Sequence, residues 1–475
     1  MGEPTAGGAR IEGPVAGGDH GWAFGAPLFD LADHGYRLDE WFLEGDATTY
    51  RQVPGGAWGH DGRWEAEPSG SLPFRTRLVV YRPADPARAN GTVLVCWNNV
   101  TAGYELFGGE SPETLDGYVF VGATVQRVGV HGFAEAPQGL AAWDPTRYGS
   151  LSIPHDDASY DIFRQVGAAV GRDRPGRGGA GDPLSGIDVS HVAAVGASQS
   201  AGRLATYVNA LHPLVGGFDA YMLQIYFGSG TPLEAGDLEV NLNRPAAQPA
   251  ALRLRGSHLL RDDLDVPVMV VNSELEAVAC AGVRQPDTDR FRWWETAGTC
   301  HVSLQSMRVR APKYEREFGV AQPVDEGMNR VSIQPVYDAA TAALRRWLDD
   351  GTPPPVQPKV EMAEAATADR PARPARDAFG LAVGGIRLPQ VDEPLMRHGT
   401  EPRGSDARAF LNGSSTPLGR DEVIARYGDE ATYLDRFRAA AERTVAAGAL
   451  LARDVEPLVE EARSDWAEVV GEPGP

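Results

Sequence analysis

Cysteine is scarce: the 475-residue chain has three, at positions 96, 280 and 300. An odd and small number leaves no even disulfide framework, and no Cys/His grouping has zinc-ligand spacing, so the thiols read as reduced and mostly buried. Positive charge is also short. Forty-four Lys and Arg stand against 65 Asp and Glu, a formal net charge of −21, which would be repelled by nucleic acid and by anionic membrane surfaces alike. Neither is an expected partner. No apolar run approaches the ~20 residues of a membrane span, and the N-terminus has neither the basic start nor the apolar core of a secretion signal. A cytoplasmic protein is the expectation.

What is present is a large apolar fraction, 42% of residues, arranged in short runs. Thr92–Trp97, Tyr118–Val125, Val192–Val195, Phe218–Tyr226 and Val266–Val271 read as buried strands, and Phe74–Tyr81 alternates charged and apolar groups like an edge strand. Ser159–Val170 has helical spacing, with Ile162, Val166 and Val170 four apart. Strands alternating with helices predict an α/β fold with a mostly parallel central sheet flanked by helices. Residues 1–30 are Gly-rich and expected to be loosely ordered, and residues 31–350 form the expected core. Within it, about 228–265 lacks sheet pattern, falls between two strands and reads as a lid. A Pro/Ala-rich linker over 351–376 leads to an extension, 377–475, that packs back on the core through Gly384–Pro389 as a strand and turn and through helical spacing over Asp421–Gly448.

The chemistry concentrates where a strand run stops. Val192-Ala-Ala-Val195 runs into Gly196-Ala-Ser-Gln-Ser-Ala-Gly202 and restarts as a helix-compatible segment. This is the pattern of a nucleophile elbow, a strained strand-to-helix corner that needs small neighbours and turns the following N–H toward a developing oxyanion. Gly196 directly follows the last branched residue, which puts Ser198 at the corner; Ser200, also flanked by small residues, falls in the first helical turn and is the alternative nucleophile. A serine that merely caps a helix would give a similar string. Downstream, Val266–Val271 leads to Asn272-Ser-Glu-Leu-Glu276, and Arg290–Glu295 leads to Ala297-Gly-Thr-Cys-His301. Nucleophile, acid and histidine therefore come in the order Ser…Glu…His. His301 would take the serine proton and return it to the leaving group, while a carboxylate holds its tautomer. Glu276 is preferred over Glu274 because such an acid usually lies in the loop several residues past its strand. The oxyanion would be met by the backbone N–H of Gln199 and by that of Val100, or an adjacent amide, in the loop Asn98–Gly103 after the Thr92–Trp97 strand.

Beyond the elbow, Gly35-Tyr-Arg-Leu-Asp-Glu-Trp-Phe-Leu-Glu-Gly45, Trp97-Asn-Asn-Val-Thr101, Trp143-Asp-Pro-Thr-Arg-Tyr-Gly149, Arg284-Gln-Pro-Asp-Thr-Asp-Arg290 and Gly384-Gly-Ile-Arg-Leu-Pro389 make the chain resemble a poorly characterised branch of the α/β-hydrolase domain family, presumed esterases. The resemblance implies the α/β-hydrolase fold with a lid insertion and a C-terminal extension. It also implies a Ser–acid–His hydrolase that needs no cofactor or metal. The expected reaction is carboxylesterase-like cleavage of a small hydrophobic ester or lactone through an acyl-Ser198 intermediate. An acyltransferase or cyclase using the same triad, or a catalytically silent ligand-binding homologue, are the alternatives. Substrate identity and oligomeric state stay open.

Overall fold

In the computed structural model, which describes residues 9–56, 58–179, 181–234, 257–367, 370–401 and 409–471, the chain divides into two units. One is Met1–Val268 with Glu315–Gly319; the other is Met269–Tyr314 with Val320–Pro475.

In the first unit the apolar runs become strands β1 (Arg10–Glu12), β2 (Tyr36–Gln52), β3 (Ala66–Pro83), β4 (Thr92–Trp97), β5 (Val119–Ala123), β6 (His191–Ala197) and β7 (Ala220–Gln224). Their order is β1-β2-β3-β5-β4-β6-β7. β4 is parallel to β5 and to β6, and β6 to β7, whereas β1, β2, β3 and β5 pair antiparallel in turn. Every residue of β5 is buried, as a strand covered on both faces requires. The chain leaves β4 for β5 on one side and comes back at β6 on the other. The carboxyl ends of β4 and β6 are thus a topological switch point, where open α/β sheets bind their ligands. Trp97 pairs with Gly196, so the two strands end level.

Two expectations for this unit are corrected. Phe74–Tyr81 is not an edge strand but the middle of β3, bonded to β2 along its whole length and to β5 at Leu78–Tyr81. The alternating charges misled because Arg77 points inward, 3.2 Å from Glu40 and 3.3 Å from Glu105. Nor are residues 9–30 loose: β1 pairs with β2, the amides of Asp19 and His20 donate to Asp144 Oδ2 at 2.8 and 3.1 Å, and Phe24 is buried.

The Gly- and Arg-rich loop before β6 closes on one buried ion pair. Arg174 Nε and Nη2 donate to the two carboxylate oxygens of Asp182 at 2.6 and 3.0 Å, and Nη2 also serves the carbonyls of Leu184 and Ile187. Against the upward push of burial, Arg174 and the N–H groups of Gly178 and Leu184 hold the Asp182 carboxyl below its ordinary value. Arg174→Met should therefore cost about 3–5 kcal/mol by stranding a buried carboxylate, read by urea denaturation at pH 7. Because the folded-state value is the lower one, the pair's contribution is present above the unfolded carboxyl's ~3.9 and is lost as pH falls through the folded value. The gap between wild type and variant should then narrow below about pH 4; a gap independent of pH down to 2 would contradict this role.

In the second unit, β8 (Val268–Ser273) and β9 (Phe291–Thr296) are neighbours. A helix spans Gln334–Asp350, with Val336, Leu344 and Trp347 buried. The helical spacing over Asp421–Gly448 resolves into two helices, Arg420–Tyr427 and Glu430–Ala446, interrupted at Gly428 with φ 77°, and a further helix, Val455–Val470, follows. Gly384–Pro389 forms no strand of its own. Instead Ile386 bridges Thr296 at the end of β9, with Ala297 N donating to Ile386 O (2.9 Å) and Ile386 N to Glu295 O (2.7 Å). Such long-range ties explain why the boundary does not fall at the linker 351–376. The segment 269–314, expected within the core, groups with the extension.

Candidate active site

Ser198 stands between β6 and the helix Gln199–Thr206, with φ 61° and ψ −118°. Only Ser198 and Ile225 among the described non-glycine residues have positive φ. Such a backbone costs on the order of 1–3 kcal/mol and persists only where the surroundings dictate it. They do so here: Ser198 N donates to Gln224 O at the end of β7 (3.0 Å), and Gly202 N donates to Ser198 O (3.1 Å), closing the first helical turn. Ser198 makes no side-chain capping bond, so its hydroxyl is not spent on the helix. The amide of Gln199 precedes the first intrahelical donor and has no partner within the helix. Ser200 lies inside the helix, fully buried.

Gly196 has no room for a side chain, since a Cβ there would lie 2.9 Å from the Ser200 carbonyl carbon and oxygen. Gly196→Ala should cost about 1–3 kcal/mol through overpacking against backbone. Unchanged urea unfolding of that variant would show the corner to be looser than drawn.

The loop after β4 is fastened to the same corner. Asn99 Nδ2 donates to the carbonyl of Ala197 at 3.1 Å, while Asn99 Oδ1 accepts from Thr101 N (3.0 Å) and Thr101 Oγ1 (2.8 Å). Asn98 Nδ2 donates to the buried Glu105 at 3.0 Å. Val100 is buried with Val128 and Phe133 in an apolar cluster. A second bridge runs deeper: Trp97 Nε1 donates to Gln126, whose Nε2 donates to Asp156, and Asp156 also accepts from Arg127 N and from Arg203 on the elbow helix.

The second unit carries the residues expected as the acid and the histidine. Glu276 sits not in a loop, as expected, but in the first turn of the helix Glu274–Ala279, which follows β8 without a break. His301 Nδ1 lies 2.7 Å from Glu276 Oε1, and Ser273 Oγ donates to Glu276 Oε2. Glu274 is engaged elsewhere: Gly298 N donates to it at 2.7 Å and Arg376 pairs with it at 2.6 Å. Burial pushes the Glu274 carboxyl up, with Arg376 and Gly298 acting against that rise. Asn329 Nδ2 donates to the carbonyls of Gly298 and Gly399, so the turn bearing His301 is braced by the extension.

Several residues passed over in the sequence thus matter to the geometry. Asn99 and Ser273 each lie one residue from a position singled out for chemistry, and only their side-chain bonds distinguish them. Tyr148 and Arg147 of the Trp143–Gly149 motif both bond the buried Glu40 and serve the core. Cys96, Cys280 and Cys300 form no disulfide, and the last two are buried.

Of the segment expected as a lid, about 228–265, residues 235–256 lie outside the described residues. Its end is anchored: Leu259 N donates to His60 O, Asn209 Nδ2 donates to Leu259 O, and Leu260 is buried. Among the described residues no group of three or more His, Cys, Asp or Glu could hold a metal ion, and no helix is long and apolar enough to cross a membrane.

The strand-to-helix corner at Ser198 on a sheet of this topology defines a class of protein, the α/β-hydrolases. The sequence matches the alpha/beta hydrolase domain family over residues 11–460, and the chain belongs to that family. Similar solved structures include brefeldin A esterase, a bacterial homologue of human hormone sensitive lipase, at 14% identity, covering 57% of this chain and 72% of that one with a TM-score of 0.26. Esterase Est22 is 11% identical over 60% of this chain and 79% of its own, TM-score 0.27. Oligopeptidase B from Trypanosoma brucei is 12% identical over 62% and 39%, TM-score 0.28. No curated protein matches the sequence. It is the family match, not these distant likenesses, that fixes the fold.

Proposed function

We propose that the protein is a serine hydrolase that cleaves a carboxylic ester or lactone of a small hydrophobic substrate. The observation that carries this reading is the backbone of Ser198: a non-glycine residue at φ 61° on a strand-to-helix corner, with a hydroxyl that caps nothing. Strain of this kind is kept where it serves a reacting group.

In this reading His301 Nε2 accepts the Ser198 proton as Oγ attacks the acyl carbon. Glu276 holds Nδ1–H at 2.7 Å, which fixes the tautomer with an unprotonated Nε2, and it stabilises the imidazolium that forms. Ser273, donating to the other Glu276 oxygen, keeps that carboxylate from rotating away. The oxyanion is met by the amides of Gln199 and Val100. The imidazolium then protonates the leaving alcohol, and water, deprotonated by His301, releases the acid from acyl-Ser198 and restores the serine.

Three cysteines in no disulfide fit a reducing compartment, and we place the reaction in the cytoplasm on that ground.

The test is covalent labelling. A fluorophosphonate probe should modify wild type at Ser198, identified by peptide mass spectrometry, and leave Ser198→Ala unmodified. A folded wild type that resists the probe would sink the reading. Product analysis of p-nitrophenyl butyrate turnover with and without an added alcohol separates hydrolysis from acyl transfer.

A further inference from the structure

We propose that Asn99 is a positioning residue that locks the oxyanion-donor loop onto the nucleophile corner; this rests on the reading of Ser198 as nucleophile. The two amides expected to meet the oxyanion belong to different elements, Gln199 to the elbow helix and Val100 to the loop after β4. An oxyanion hole works only if its donors hold fixed positions before the charge develops. Something must therefore hold the loop against the elbow, and Asn99 is the side chain that reaches from one to the other.

Its hydrogen bonds admit one orientation. The amide oxygen has two lone pairs, both used: Thr101 N at 3.0 Å and Thr101 Oγ1 at 2.8 Å. The amide nitrogen must then face Ala197, whose carbonyl it meets at 3.1 Å. Flipping the amide would aim oxygen at the Ala197 carbonyl and NH₂ at the Thr101 N–H, losing both bonds. The main chain is tied as well, since Asn99 O accepts from Leu106 N and Val100 O from Gly103 N. The side chain thus does two separable things. Its oxygen shapes the turn that carries Val100, and its nitrogen joins that turn to the residue before Ser198. Trp97↔Gly196 pairing brings the strand ends level, but beyond them β4 and β6 diverge into different connections. The Asn99–Ala197 bond spans that gap.

Two variants separate the two jobs. Asn99→Ala removes both; Asn99→Asp keeps the acceptor for Thr101 and loses the donor to Ala197. Displacing an oxyanion donor commonly costs about 10²–10³ in kcat, so both variants should lose roughly 100-fold in kcat with KM within about threefold. Affinity for phenylboronic acid, which forms a tetrahedral adduct on the nucleophile, should fall by a similar factor; Asn99→Asp should melt somewhat lower than wild type, since a carboxylate oxygen then faces the Ala197 carbonyl, while its far-ultraviolet circular dichroism at assay temperature stays that of wild type. A purely local turn-forming role would leave Asn99→Asp with wild-type kcat and boronate affinity, and that result would overturn the proposal. If Asn99→Ala fails to fold, Asn99→Asp alone decides. The underlying reading is checked apart: fluorophosphonate labelling of Ser198 with unimpaired Asn99→Asp turnover rejects only the role of Asn99, whereas absent labelling in wild type rejects the nucleophile itself.

Discussion

Ser198→Ala is expected to lower kcat for a short-chain aryl ester by about a millionfold, the loss typical when a triad nucleophile is removed. The expectation rests on the corner itself. Ser198 is held in a strained conformation by Gln224 O and Gly202 N, and its hydroxyl takes no part in capping the helix. The methyl of alanine fits wherever the serine Cβ does, so folding should be unaffected and far-ultraviolet circular dichroism unchanged. Ser200→Ala is the control. Ser200 is buried in the first helical turn, and its loss should change kcat by less than about tenfold, a packing-scale effect. The opposite ranking of the two variants would move the nucleophile to Ser200. Near-wild-type turnover by Ser198→Ala would end the serine-hydrolase reading altogether.

The corner was legible because its signal is local. A branched run, a glycine with no room for Cβ and a small-residue spacing all lie within about ten residues, and each reports sterics that the backbone enforces. The same holds for β4 through β8, whose branched or aromatic runs mark buried strands without reference to the rest of the chain.

What failed to show was non-local. Phe74–Tyr81 read as an edge strand because charges normally face water, yet Arg77 finds Glu40 and Glu105 inside. Glu40 and Glu105 come from separate elements, and no periodicity within β3 reveals them. Likewise the grouping of residues 269–314 with the extension depends on Ile386 meeting Thr296 and on Arg376 meeting Glu274. Spacing in either segment is silent about the other. The break at Gly428 was readable in principle, since glycine is the residue that takes a left-handed backbone at a helix end, but an unbroken helical period on both sides hid it. Asn99 shows a third kind of limit. The sequence identified its loop by its place after a strand, whereas its function as a fastener follows from hydrogen-bond valence, which only coordinates display.

The choice between Glu276 and Glu274 carries the second large effect: Glu276→Gln should lower kcat by about 10⁴-fold while Glu274→Gln costs less than about tenfold. Glutamine at 276 keeps the shape but not the polarity. Its NH₂ can donate to His301 Nδ1, which would move the ring proton to Nε2, the atom that must be free to accept from serine. Retaining its oxygen toward His301 would instead leave the NH₂ facing the Ser273 hydroxyl that now donates to the carboxylate. The first orientation removes the acceptor side of the imidazole; the second keeps it but loses the negative charge that stabilises the imidazolium. Glu274 supports the turn rather than the ring, through Gly298 N and Arg376. An amide can still accept from Gly298, and the Arg376 side chain, 28% exposed, can turn to water, so the penalty should fall on stability more than on kcat. Measuring kcat and the melting temperature for both variants separates the two roles. A larger kcat loss from Glu274→Gln would reassign the acid, and the imidazole would then have to leave a 2.7 Å bond to Glu276 to reach it.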